Sequence, residues 1–225
     1  MLVCIENNDV LAGFSTKKGG VSSGVYESLN LATHVGDDKQ NVLENREILR
    51  RKIGAKKLIF MDQIHCDEIF EVLSLDDEIP PCDALITSLK NIALCVLVAD
   101  CSPVLIYDKF QGKIAAIHAG RAGVTLQIVT KTIKKMGSKA INLKVVVGAN
   151  ISGKCYDIGN LDLGEFNKFK NGVKFDMNAA LKCELDSLGV RDYEFSDICT
   201  HCDERFFSYR RDGVTGRFCG FICLK

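Results

Sequence analysis

The amino-acid sequence predicts one domain of the α+β class with mixed β-sheets, and three observations carry that reading. Short apolar, β-branched segments recur along all 225 residues, joined by hairpin turns as often as by helical stretches. No internal repeat, low-complexity tract or long linker divides residues 1–225, and the adjacent prolines Pro80-Pro81 mark a loop. Apolar residues make up 47% and charged residues 26%, a composition that builds a full core without staples.

Taken in order, Leu2–Ile5 and Val10–Ser15 read as short strands. The run Thr16-Lys-Lys-Gly-Gly-Val-Ser-Ser-Gly24 is too glycine-rich for regular structure and reads as a loop. Asp37 or Asp38 is placed to cap a helix through about Lys52, with Val42, Leu49 and Ile53 on one face and Gly54 as its stop. Leu58–Met61, Ile69–Leu73 and Ile92–Ala99 read as strands, the last apolar enough to be buried on both faces. Val104–Tyr107 and Ile114–His118 flank Asp108-Lys-Phe-Gln-Gly112, a hairpin signal. Val124–Met136 has helical periodicity and ends at Gly137. Val145–Val147 reads as a strand, and Asp176 caps a helix to Leu188, closed by Gly189. A last hairpin is expected between Phe206–Tyr209 and Arg217–Ile222, around Arg210-Arg-Asp-Gly213.

Charge and length exclude several classes of function. With 29 basic and 29 acidic side chains the net charge is zero, so no surplus remains to neutralise nucleic-acid phosphates. The longest apolar run, Ile92 to Ala99, is far short of a membrane span. Met1-Leu-Val-Cys-Ile is followed at once by Glu6, Asn7, Asn8 and Asp9, which does not resemble a signal peptide, so a cytoplasmic location is expected. Eleven cysteines, an odd count, argue against a disulfide framework in such a compartment. Most are expected to pack as small hydrophobes, Cys95 and Cys183 among them.

Three segments end an apolar strand with a metal-capable or nucleophilic side chain: Met61-Asp-Gln-Ile-His65, Leu97-Val-Ala-Asp-Cys101 and Ala115-Ala-Ile-His118. The hairpin would bring Cys101 beside His118. Two chemistries follow from these residue types. Two imidazoles and a thiolate form a three-ligand set for Zn²⁺ with its fourth position open, the mark of a catalytic site. Alternatively, Cys101 and His118 form a nucleophile–base pair without metal. The bland alternative is two satisfied histidines and a buried thiol. A second cysteine grouping, Cys199-Thr-His-Cys202 with Cys219-Gly-Phe-Ile-Cys223, approaches zinc-ribbon spacing. Alternation sends Cys219, Phe221 and Cys223 to one strand face, so core packing is the expectation there. His201 and Cys155 are expected to be structural.

Nine ordered blocks give the chain a resemblance that runs nearly end to end. They are Phe14-Ser-Thr-Lys-Lys-Gly-Gly-Val-Ser, Ser28-Leu-Asn-Leu, His34-Val-Gly-Asp-Asp, Asn45-Arg46, Gln63-Ile-His65, Cys82-Asp-Ala-Leu, Ala99-Asp-Cys101-Ser-Pro-Val, His118-Ala-Gly, and Phe207-Ser-Tyr-Arg-Arg-Asp-Gly-Val-Thr-Gly-Arg217. On them the sequence resembles the multicopper polyphenol oxidase (laccase-domain) family, YfiH-like proteins now regarded as purine nucleoside phosphorylases.

The resemblance implies a layered α/β/β/α fold shared with a toxin-type cysteine deamidase. It implies a zinc on His65, Cys101 and His118, with copper as a competing metal. It implies phosphorolysis of adenosine, inosine, guanosine and methylthioadenosine, accompanied by adenosine deamination. Purine nucleosides and inorganic phosphate are thus the expected partners, with no nucleic acid or membrane, on a monomer or homodimer. Four histidines are too few for a blue-copper site plus a trinuclear cluster, so the oxidase name is set aside. Arg46 is the candidate phosphate ligand because its planar fork grips two oxygens. Gln63 is a candidate to bind substrate or orient a ligand, and Asp100 to fix an imidazole tautomer or cap a strand end. His34 is a candidate to line the same pocket, whereas Arg210, Arg211 and Arg217 read as a charged turn. The family's usual His-Ala-Gly-Trp-Arg-Gly is replaced by His118-Ala-Gly-Arg121-Ala122-Gly123, and Cys66 follows the first histidine in place of the usual glycine. Both departures bear on substrate preference. Two other readings remain: a metal-free Cys101–His118 hydrolase or deamidase, and a zinc-stabilised binding module without turnover.

Overall fold

The computed structural model describes residues 1–225. In chain order its elements are β1 (Leu2–Glu6), β2 (Val10–Phe14), α1 (Lys39–Ile53), β3 (Lys57–Phe60), β4 (Ile69–Val72), β5 (Ala84–Thr87), β6 (Ile92–Val98), β7 (Ser102–Asp108) and β8 (Lys113–Ala119). They continue with α2 (Arg121–Thr125), α3 (Ile128–Met136), β9 (Leu143–Val147), β10 (Lys170–Asn171), β11 (Lys174–Phe175), α4 (Met177–Ser187), β12 (Asp192–Phe195), α5 (Tyr209–Asp212) and β13 (Phe218–Leu224).

Two mixed sheets form. One has the order β1-β2-β13-β6-β3, the other β12-β9-β7-β8-β5-β4, and β10 pairs with β11 as a small ribbon. Strand alternation shows how they stack. Leu94, Val96 and Val98 of β6 join Leu105 and Tyr107 of β7 and Ala116 of β8 in one core between the sheets. The opposite residues of β6, Ala93, Cys95 and Leu97, pack with Leu49 and Ile53 of α1. The opposite residues of β7, Val104 and Ile106, pack against Ile128 and Val129 of α3 and Leu181 and Leu185 of α4. The order of layers is therefore helix, sheet, sheet, helix, as the resemblance implies. Central strands covered on both faces have no solvent side to mark with polar residues, which is why β6, β7 and β13 are buried throughout.

Helix α1 is bounded as its sequence predicts. The Asp38 carboxylate accepts from the amides of Gln40 and Asn41, and Gly54 closes the helix at φ 76°. Asp37 instead accepts from Ser22 and Asn30. Buried Asn45 on α1 clamps the glycine-rich loop. It accepts from Val21 N and donates to Ser22 Oγ and to the carbonyls of Ser28 and Asn30. A β-carbon on Gly20 would lie 2.3 Å from the Asn45 amide oxygen, so only glycine fits.

Four expectations are corrected. The single helix over Val124–Met136 is two helices, because Gln127 adopts a left-handed backbone at φ 57° and breaks the turn. The last hairpin does not form: β13 has both edges taken, by β2 and β6, and Tyr209–Asp212 coils into a helical turn capped by Ser208. Cys183 lies on the solvent side of α4 and is exposed. Strands β5 and β12 are absent from the sequence reading: β5 fills the place between β8 and β4, and β12 adds an edge beside β9.

The hairpin of β7 and β8 has the anticipated register, with Pro103 opposite His118 and Asp108 opposite Lys113. The chain passes from the first sheet to the second twice at one end of the sandwich. It does so through residues 61–68 after β3 and through Ala99-Asp100-Cys101 between β6 and β7. Asp100 makes the second passage sharp with φ at 95°.

Candidate active site

Those two passages and the end of β8 bring His65, Cys101 and His118 together, with their ligand atoms all within 4.8 Å of one another. The imidazole rings of His65 and His118 meet edge to face, centroids 4.8 Å apart at 80°. Gly120 allows the approach: a β-carbon there would lie 3.0 Å from Cys101 Sγ and 3.3 Å from the His65 ring.

One buried carboxylate, part of the Cys82-Asp-Ala-Leu block but given no role by the sequence, holds both histidines. Asp83, fully buried just ahead of β5, accepts a hydrogen bond from His118 Nδ1 at 2.6 Å through Oδ1. That bond fixes a proton on Nδ1 and turns Nε2 toward the cluster, where it becomes a metal ligand once its own proton is displaced. Its other oxygen accepts from the amides of Ile64 at 3.1 Å and Cys66 at 2.8 Å, and from the Cys66 thiol. His65 lies between those amides with φ at 61°, so Asp83 fixes the left-handed turn that aims its ring.

The electrostatics follow from the packing. Burial pushes the Asp83 carboxyl up, but His118 and the two Cys66 donors outweigh it and bring it down to about 2. Burial likewise raises the Cys101 thiol and lowers His118. The attraction between them, with His65 beside the sulfur and Asp83 behind His118, reverses both effects. Cys101 comes down to about 6 and His118 up to about 9.

The triad lies in the wall of a cavity of about 530 Å³. Its lining includes apolar and aromatic side chains, Leu97, Ile151, Met177, Tyr156 and Tyr209, and the arginines Arg121, Arg210 and Arg217. Such a volume with a few convergent polar groups is typical of a small-molecule site. Arg121 opens α2 directly after Gly120, in the segment where the sequence departs from its family pattern. The Arg210 guanidinium lies over the Tyr156 ring at 5.2 Å and donates to Asp157 O, which holds it at the mouth. Arg217 lies over Tyr209 at 5.9 Å, held by the carbonyls of Thr215 and Gly216.

The other residues singled out from sequence divide. Gln63 and His34 line the cavity, but both ends of the Gln63 amide are engaged: Nε2 donates to Leu97 O and Oε1 accepts from Leu97 N. Asp100 lines it too, and its carboxylate accepts from Thr200, Ser208 and the amide of Arg210. It thus anchors the segment carrying Tyr209 and Arg210, while the imidazole falls to Asp83. Arg46 is not among the lining residues. Its Nε donates to Leu31 O and its guanidinium stacks on Phe60 at 4.0 Å. Cys95, Cys219 and Cys223 are buried against α1, as alternation predicts.

The donor set fits a divalent soft-to-borderline metal. Two imidazoles and a readily ionised thiol converge, one imidazole is oriented from behind by a carboxylate, and open cavity lies in front.

The family model described as multi-copper polyphenol oxidoreductase laccase matches residues 11–225. The chain belongs to this family. A protein named purine nucleoside phosphorylase from Corynebacterium glutamicum is 40% identical over 97% of this chain and 96% of its own length. Another of that name, from Streptomyces coelicolor, is 34% identical over 94% of each chain. Among solved structures, a Neisseria meningitidis protein superposes with a TM-score of 0.92 at 31% identity, covering 100% of this chain and 98% of its own. The Bacillus licheniformis hypothetical protein YfiH gives 0.88 at 32% identity, covering 96% of this chain and 93% of its own. No helix is long and apolar enough to cross a membrane.

Proposed function

We propose that this chain is a zinc-dependent purine nucleoside phosphorylase that cleaves adenosine, inosine, guanosine and methylthioadenosine, with accompanying adenosine deamination. The observation that carries the reading is the joint presence, in one cavity, of a three-ligand metal set and three arginines among apolar and aromatic side chains. Family membership and the names of the relatives support it.

His65, Cys101 and His118 would hold the metal, which supplies a Lewis acid and lowers the pKa of water. Phosphorolysis joins a phosphate oxygen to the anomeric carbon. The bond from that carbon to the base nitrogen breaks, its electron pair leaves with the purine, and the purine takes a proton. Arg121, Arg210 and Arg217 are the groups that would bind the phosphate, because their charges face the cavity. Arg46, bonded to Leu31 and stacked on Phe60, would hold the floor beneath β3 instead. Tyr156 and Tyr209 would present ring faces to the purine. Asp83 keeps the proton on His118 Nδ1 and the His65 turn in place. Asp100 keeps Arg210 at the mouth.

The deciding experiment incubates the protein with inosine or adenosine, with and without inorganic phosphate, and follows free base and ribose-1-phosphate. Sugar phosphate is expected only with phosphate present, and ammonia accompanies turnover of adenosine.

A second reading is favoured by one observation. Cys101, His118 and Asp83 are also the nucleophile, base and orienting carboxylate of a metal-free cysteine hydrolase. Activity that survives complete metal removal would select it.

A further inference from the structure

Away from the cavity a second set of soft ligands converges. The Sγ atoms of Cys155, Cys199 and Cys202 all lie within 4.8 Å of one another. Those of Cys155 and Cys202 are 3.5 Å apart, far beyond a disulfide bond and close to the ~3.8 Å edge of a tetrahedral zinc–sulfur site. Cys199-Thr-His-Cys202 forms a tight knuckle, in which the amides of Cys202 and Asp203 donate to Cys199 O. The Ser152 amide donates to Cys199 Sγ at 3.3 Å, the kind of bond that stabilises a thiolate. His201 Nδ1 lies 4.0 Å from Cys202 Sγ, beside the three-sulfur cluster, and would have to swing in to share its ion. Arg211 donates to the carbonyls of Thr200 and His201 and so backs the knuckle with a positive charge.

We propose that Cys155, Cys199 and Cys202, with His201 as fourth donor, form a closed Zn²⁺ site separate from the cavity. Three thiols argue for an ion over a disulfide, since a disulfide engages two sulfurs and strands the third. Binding releases a proton from each thiol, and the ion takes the three sulfurs and one imidazole. Cys202 is exposed, so the ion has a path from solvent.

The site ties together two loops that shape the cavity. Cys155 precedes Tyr156, and Thr200, inside the knuckle, donates to Asp100. The parallel bridge between Asn150 and Cys199 sets the two loops side by side. The ion would thereby fix the wall that carries Tyr156 and Arg210 without touching substrate.

Native mass spectrometry of reduced protein titrated with zinc tests the proposal. The parent is expected to bind two ions, and Cys101→Ala and Cys202→Ser one each. Cobalt added to Cys101→Ala protein, whose cavity site has lost its sulfur, is expected to give thiolate-to-metal absorption that disappears when Cys199→Ser is added. If the double variant fails to fold, Cys202→Ser, at an exposed position, supplies the same contrast. Cys101→Ala protein that takes up no zinc overturns the proposal. So does anaerobically purified parent in which two of these three sulfurs are found as a disulfide. A parent that binds a single zinc, kept in Cys101→Ala and lost in Cys202→Ser, upholds this site while refuting zinc in the cavity.

Discussion

His65, Cys101 and His118 stand at or beside strand ends, on segments that cross between two packed sheets, whereas Cys155, Cys199 and Cys202 stand on loops tied mainly to one another. The first set is aimed from behind by a buried carboxylate and opens onto a cavity. The second has mostly backbone amides behind it and faces solvent through Cys202. A site that must bind and release substrate needs its ligands fixed by the scaffold, so that a coordination position stays open. A site that only joins loops can take its geometry from the ion itself.

The contrast is sharpened by variants that strike the scaffold of the first cluster. Cys101→Ala is expected to have the largest effect, at least a ~10²-fold loss of nucleoside cleavage, because it removes a ligand that faces the reacting atoms. Assay of free base checks it. Asp83→Asn should follow, with a ~10- to 100-fold loss in metal affinity or turnover, although Asp83 lies behind His118 and does not line the cavity. Parallel zinc titration and activity measurements separate the two readouts. No equivalent buried carboxylate serves the cysteine cluster, so zinc at that site should be unaffected by Asp83→Asn.

Arg210→Ala and Arg217→Ala should each raise the KM for phosphate by roughly 10-fold or more, the scale of a lost charge-assisted hydrogen bond. Arg46→Ala should leave that KM unchanged and lower stability by about 1 kcal/mol, through loss of its stack on Phe60. Phosphate titrations at saturating inosine, with melting curves, distinguish the two kinds of arginine.

The smallest effect is on pH-dependent stability of the metal-free protein. Asp83 is held below its ordinary pKa of 3.8, at about 2. Its contribution is present above 3.8 and lost as pH falls toward 2. His118 is held above its ordinary 6.5, at about 9, so its contribution is present below 6.5 and lost as pH rises through 9. Cys101, held below its ordinary 9.0 at about 6, runs the opposite way, its contribution present above 9 and lost as pH falls through 6. The two therefore nearly cancel, and metal-free protein should melt at a nearly constant temperature from pH 6.5 to 9 and lose stability as pH falls below 3.8. Asp83→Asn should remove the loss on the acid side, as fluorescence melts across pH will show.

The parts of this architecture that were legible in the sequence are those fixed by local chemistry. The Asp108–Gly112 turn sets the register that brings Cys101 toward His118, and Asp38 and Gly54 bound α1. His65 stands out at a strand end, and the family resemblance strengthens its link to Cys101 and His118. Asp83 escaped notice because an aspartate ahead of a short strand looks like a solvated end, and its partner His118 lies 35 residues away. Arg46 drew attention through its chemistry, but Leu31 O and Phe60, which engage it, meet it only in the fold. Arg210 and Arg217 looked like a charged turn because nothing local shows that Asp100 pulls that segment over the cavity. Spacing in the chain groups Cys199 and Cys202 with Cys219 and Cys223, although alternation already sends the latter pair to the core. The fold separates them, since β13 buries the latter two against α1 while the Asn150–Cys199 bridge delivers Cys155.

The most direct test of the central claim is the product formed from inosine by zinc-loaded protein. Phosphate-dependent release of hypoxanthine with an equal amount of ribose-1-phosphate, abolished in Cys101→Ala, is the outcome this account predicts. Release of free ribose at a rate indifferent to phosphate, or no release of base from any purine nucleoside, would contradict it.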